Sequence, residues 1–99
     1  MLIVAGYFDV DPEQRDDFIQ GREEGMRRSR AEPGCITYVF AADPIEAGRV
    51  HLFERWESKE ALAEHIKGMR DAPRPPSDIK VLGREVQQYE IANVGAVGS

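Results

Sequence analysis

The amino-terminal stretch MLIVAGYFDV carries apolar residues on both of its alternating sets, Ile3, Ala5 and Tyr7 on one and Leu2, Val4, Phe8 and Val10 on the other. Side chains of a strand alternate between the two faces of its sheet, so a segment apolar on both must be covered on both. Such a strand cannot lie against water on either side. It needs helices over one face and a second cover over the other.

The next segments supply the helices. DVDPEQ ends the strand: Asp11 can cap, Pro12 suits a first helical turn and Gln14 can close a capping box. A helix is expected from Pro12 to about Ala31, with an inner stripe of Phe18, Ile19, Arg22, Met26 and Ser29. Gly21 and Gly25 fall within it, and each helical glycine costs about 1 kcal/mol relative to alanine. Close packing of their backbone on the sheet is the expected compensation.

EPGC stops this helix, since Pro33 cannot continue it and Gly34 tolerates a turn conformation. CITYVFAA then predicts a strand with Ile36, Tyr38 and Phe40 on one face and Cys35, Thr37, Val39 and Ala41 on the other. DPIEAG is a turn-forming connection to RVHLFERW, so residues 35–56 read as an antiparallel hairpin. Ser58 caps a second helix, SKEALAEHIKGMRD, whose inner stripe is Leu62, His65, Ile66 and Met69. The prolines of APRPPSD break that helix, and IKVLGREVQQYEIANV supplies a last long strand ahead of a loose tail from about residue 93.

The order strand, helix, strand, strand, helix, strand is the split βαβ arrangement. It defines an α+β, ferredoxin-like fold with a four-stranded antiparallel sheet and both helices on one face. The other face, with Thr37, Val39, Ala41, His51 and Phe53, is too apolar to be left to solvent. A second copy is the expected cover: a homodimer through the sheet face, closing a dimeric α/β barrel.

With 99 residues, residues 1–99 are read as one domain. A net charge of −5 repels phosphate backbones, and the arginines of GREEGMRRSR are interleaved with glutamates, so nucleic acid is not an expected partner. The lone Cys35 excludes an internal disulfide and a cysteine-rich metal site. Only five apolar residues precede Gly6, too few for a leader or a membrane span, so a cytoplasmic protein without a membrane partner is expected.

On the third strand the helix-facing set runs Val50, Leu52, Glu54, Trp56, and His65 stands on the inner stripe of the helix that follows. Tyr38, on the neighbouring strand, can reach the same space. The expectation is an apolar cavity with a few convergent polar groups, suited to an aromatic ligand. Each residue also has a purely structural reading: Trp56 as strand-end packing, His65 as a satisfied core histidine, Glu54 as a partner of a helix end or an arginine. Arg74, in PRPP, is the candidate anion contact. The histidines His51 and His65 belong to different elements, which weakens any histidine metal site. Ser29, Ser58 and Ser77 lack a nucleophile-elbow setting.

EPGCITYVF, an acidic turn, and HLFERWESKEALAEHIKG together closely resemble the antibiotic biosynthesis monooxygenase family, small domains that pair as dimeric α+β barrels. The likeness runs from Met1 to about Ile91. It implies oxidation of phenols, quinols or polycyclic anthrones by molecular oxygen with no metal, flavin or haem. On that reading Trp56 stacks on the substrate, His65 accepts or relays the proton, Glu54 orients His65, and Tyr38 hydrogen-bonds a substrate oxygen. Leu52 and Leu62 stand where anthrone-oxidising members carry an asparagine and a tyrosine. His65 and Pro75 stand where haem-degrading relatives carry a tryptophan and a histidine, which argues against haem degradation. A ligand-binding dimer without turnover, or a cofactor-free isomerase or cyclase, uses the same residues and is the rival reading.

Overall fold

The computed structural model describes residues 1–72 and 77–98. Its elements are β1 (Leu2–Asp9), a 3₁₀ turn (Pro12–Gln14), α1 (Arg15–Gln20), α2 (Glu23–Arg30), β2 (Cys35–Ala42), β3 (Arg49–Trp56), α3 (Lys59–Asp71) and β4 (Gly83–Glu90). The strands form one antiparallel sheet in the order β2-β3-β1-β4. This is the expected ferredoxin-like arrangement, with β1 and β3 in the interior of the sheet.

The helix-facing side holds the core. Leu2, Tyr38, Leu52, Trp56 and Leu62 form one buried cluster, joined by Val4, Met26, Cys35 and Ile66, and Val10, Phe18 and Val50 form a second. The expected inner set of β3 is the buried one: Val50, Leu52, Glu54 and Trp56. Of the α3 stripe, Leu62 and His65 are buried, whereas Met69 is exposed.

Four local expectations are corrected. The single helix over 12–31 is a 3₁₀ turn and two α-helices, interrupted at Gly21 and Arg22, where the Arg22 N–H bonds the Ile19 carbonyl in a tighter turn. The glycines of this segment do not pack on the sheet: a Cβ at Gly25 would meet nothing within 4 Å, and one at Gly21 would meet only carbonyls of its own helix. The close approach is at Gly6 instead, where a Cβ would fall 1.9 Å from the Glu85 carbonyl oxygen of β4.

In β2 the pairing with β3 steps from Cys35↔Trp56 to Thr37↔Arg55, which leaves Ile36 as the extra residue of a bulge. A bulge inserts one residue and reverses the facing on its far side. Cys35 therefore turns to the core and Ile36 to the surface, the opposite of strict alternation, while Tyr38 and Phe40 keep their inward positions. Lastly, β4 covers only eight residues of the sixteen-residue segment expected as the last strand. Its ladder, from Asp9↔Gly83 to Leu2↔Glu90, is as long as its partner β1 and no longer.

The β2–β3 loop is closed by the Asp43 carboxylate, which accepts the Ile45 and Glu46 N–H groups at 2.9 and 2.7 Å. The Arg15 guanidinium, donating to the Asp43 and Glu46 carbonyls, ties α1 to the same loop.

On the side away from the helices, register brings Val39, Phe53 and Ala5 into one row and Thr37, Arg55, Ile3 and Tyr89 into the next.

Candidate functional site

EPGC, which ends the first helical segment, is a turn with a specific geometry. The Cys35 N–H bonds the Glu32 carbonyl at 3.2 Å, Pro33 holds the second position, and Gly34 has φ +85°. Those are the marks of a type II turn, whose third position is open to glycine and strained for other residues. The Glu57 N–H bonds the Gly34 carbonyl at 2.8 Å, and a Cβ on Gly34 would lie 2.5 Å from the Cβ of Ala61. The turn is thereby pressed onto the first turns of α3. Ala61 and His65, four residues apart, share that side of the helix.

The consequence is a contact that the sequence does not announce. Glu32 reaches across to His65, its Oε2 3.0 Å and its Oε1 3.3 Å from the ring Nδ1. The histidine side chain is only 2% exposed and that of Glu32 is 29% exposed, so the pair joins the interior to the surface. Glu32 has no signal in helical or strand periodicity. Its place directly before Pro-Gly, in a turn that must pack on the next helix, is the feature that points to it.

Glu54, expected to orient His65, has another partner. Its Oε1 accepts the indole N–H of Trp56 at 2.9 Å and stands 4.0 Å from His65 Nε2, beyond hydrogen-bond range. Burial pushes the Glu54 carboxyl above its ordinary pKa, against the opposing pull of the Trp56 N–H and of His65. Nε2 of His65 is itself buried and finds no hydrogen-bond partner among the described residues.

The rings crowd together. Trp56 and His65 lie 4.7 Å apart between centroids at 35°, and Tyr38 meets His65 edge-on at 5.3 Å. Burial, and then the Glu54 charge, push the Tyr38 phenol up to about 12, against a hydrogen bond shared with Ser29. Tyr38 is thus held as a neutral hydroxyl at neutral pH. Burial likewise raises the Cys35 thiol, reinforced by the charges of Glu32 and Glu54.

Trp56, Tyr38, Glu54 and His65 do converge, but as a packed cluster and not around an open cavity. The concavity beside them, about 640 Å³, is an open groove outside the core, where Glu32, Gly34, Glu57, Ala61 and Glu64 are among the lining residues. Arg74 lies outside the described residues. Among those described, no group of three or more His, Cys, Asp and Glu side chains is placed to hold a metal ion, and no helix is long and apolar enough to cross a membrane.

Comparison with known proteins gives a consistent relationship. A Synechocystis protein without a characterised function, sll1783, is 31% identical over 93 residues, 92% of this chain. The chain spans 63% of that relative's length. YcnE of Bacillus subtilis, described as a candidate monooxygenase, is 28% identical over 65 residues, covering 66% of this chain and 68% of its own. Among solved structures, a candidate antibiotic biosynthesis monooxygenase from Deinococcus radiodurans superposes with a TM-score of 0.76 over the full length of both chains at 18% identity, a likeness of fold. The family model described as antibiotic biosynthesis monooxygenase matches residues 1–68, from β1 through the EPGC turn and β3 to His65. On this match the chain belongs to the antibiotic biosynthesis monooxygenase family.

Proposed function

We propose that the protein is a cofactor-independent monooxygenase or oxidase of small phenols, quinols or polycyclic aromatics, with His65 as its base. The observation that carries this reading is Nε2 of His65, a buried nitrogen without a hydrogen-bond partner among the described residues, in a ring 4.7 Å from that of Trp56 between centroids and within 4.0 Å of a carboxyl. A buried polar atom left unpaired costs about 1–3 kcal/mol. In a core free to choose, leucine or phenylalanine at position 65 would avoid that cost. Retention of an imidazole there is what a proton-accepting role requires.

The chemistry needs little more. Removal of the substrate hydroxyl proton by Nε2 leaves an electron-rich anion, which passes electrons to oxygen directly. For a quinol the products are a quinone and hydrogen peroxide. For an anthrone-type methylene, one oxygen atom becomes the new carbonyl and the other leaves as water. Trp56 offers a stacking face, Tyr38 a hydrogen bond from a phenol kept neutral, and Glu54 fixes the indole by accepting its N–H. Arg74 is retained in this reading as an anion contact. For a ligand to enter, the three rings must part.

The outer sheet face belongs to the same reading. Ile3, Ala5, Val39, Phe53 and Tyr89 lie on one largely apolar face, which Thr37 and Arg55 share, and on which a second copy would pack face to face. A second reading, a binding dimer without turnover, is favoured by the open groove of about 640 Å³ beside the cluster, which offers a ligand room without parting the rings.

Oxygen uptake by the metal-free protein, measured over a panel of quinols, naphthols and anthrones beside His65→Ala, separates the two. Uptake above autoxidation that is lost in the variant supports the oxygenase or oxidase. No uptake across the panel, with saturable heat of binding in calorimetry, supports the binding dimer.

A further inference from the structure

Two carboxylates flank the His65 ring in different surroundings. Glu54 is buried, occupied by the Trp56 N–H, and 4.0 Å from Nε2. Glu32 opens on the groove, where water solvates its charge, and takes Nδ1 at 3.0 Å. A carboxylate acts only as an acceptor, so a neutral His65 ring facing it carries its proton on Nδ1. Nε2 is then the lone-pair nitrogen. Imidazole left to itself favours the other tautomer, with the proton on Nε2, which here would point a donor into the cluster and leave no base.

We propose that Glu32 is the positioning residue of this site. It selects the His65 tautomer, aims the Nε2 lone pair at the substrate hydroxyl, and stabilises the imidazolium formed when that proton is taken. The proton stays on Nε2 until it is returned to the reduced oxygen species, and Glu32 does not itself become protonated, the division of labour of a carboxylate behind a catalytic histidine. Environment sets which carboxylate does this: the solvated one can hold a charge opposite an imidazolium, and the buried one resists ionisation. The Pro33–Gly34 turn matters because it holds Glu32 over α3, with the Glu32 N–H bonded to the Ser29 carbonyl at 3.0 Å and the turn seated on Ala61. The catalytic part of this inference rests on the oxidase reading above; the tautomer part does not.

The chain has two histidines, so protein labelled with ¹⁵N-histidine gives two rings, and His51→Gln identifies which is His65. At a pH where the ring is neutral, the expected spectrum shows a protonated Nδ1 and an unprotonated Nε2 in the wild type, changing to the Nε2–H form in Glu32→Ala. In oxygen uptake, the same variant is expected to lose at least tenfold in kcat with KM changed less than twofold. A wild-type His65 protonated on Nε2, an imidazolium that persists over the whole stable pH range, or a tautomer indifferent to Glu32→Ala overturns the proposal. Wild-type protein that shows the Glu32-dependent tautomer but no oxygen uptake leaves Glu32 as the orienting group and removes the oxidase reading alone.

Discussion

The indole N–H of Trp56 donates to Glu54 Oε1 at 2.9 Å, a hydrogen bond wholly inside the core. The indole N–H has this carboxylate as its acceptor, and Trp56 is fully buried, so water does not substitute for it. Replacing Glu54 by leucine strands the N–H at a cost of about 1–3 kcal/mol, whereas Glu54→Gln keeps an acceptor oxygen. Chemical denaturation at neutral pH should place Glu54→Leu well below Glu54→Gln. Equal stabilities would mean that the bond contributes nothing.

The same residue sets a pH dependence. Burial raises the Glu54 carboxyl above its ordinary value, so the folded state holds this proton more tightly than the unfolded chain does. Its contribution is present below the ordinary glutamate pKa and is lost as pH rises through the raised value. Glu54→Gln removes the titration, and its melting temperature should gain on the wild type across that window as pH rises. Parallel curves would show that Glu54 ionises in the fold as it does in water.

His65→Phe tests the cost of the site. A phenyl ring of similar bulk ends the unpaired state of buried Nε2, while the lost partner, Glu32, is already part-exposed. Stability within about 1 kcal/mol of the wild type or above it is expected, together with loss of oxygen uptake, the trade between stability and activity seen where a functional group is retained against packing. A loss of several kcal/mol with uptake intact would return His65 to a structural role.

The glycines of the chain should respond in opposite ways. Gly25→Ala, in a helix and with open space around the added Cβ, is expected to stabilise by about 0.4–1 kcal/mol. Gly6→Ala drives a methyl group into the Glu85 backbone, 1.9 Å away, and should cost several times as much through separation of β1 from β4. Paired thermal melts decide the matter.

For the outer face, sedimentation at micromolar concentration should give twice the chain mass, and Phe53→Glu, in the row of Val39 and Ala5, should halve it without unfolding the chain. Buried apolar area drives such an association, and a charge at its centre opposes it. A monomeric wild type would remove the sheet-to-sheet pairing.

Much of this protein is legible in its sequence because periodicity survives folding. The both-sided apolar pattern of β1, the Val50-Leu52-Glu54-Trp56 set of β3, the Ser58 cap and the hairpin between Cys35 and Trp56 are local properties, and the structure keeps them. What periodicity cannot register is a break in itself. The bulge at Ile36 exchanged the facing of Cys35 and Ile36, and the interruption at Gly21 and Arg22 divided one expected helix. Each departs from regular alternation by a residue or two.

The site divides the same way. Sequence alone placed Trp56, Glu54, Tyr38 and His65 toward one region, since parity and helical stripe decide direction. Which carboxylate meets the histidine was decided only by tertiary structure. Glu32 and His65 are 33 residues apart, and their contact depends on a left-handed glycine that lets one turn lie on Ala61. Glu54, near in sequence and of the right parity, was taken by the indole beside it. Direction is a property of local backbone geometry; distance between side chains from different elements exists only once those elements have packed.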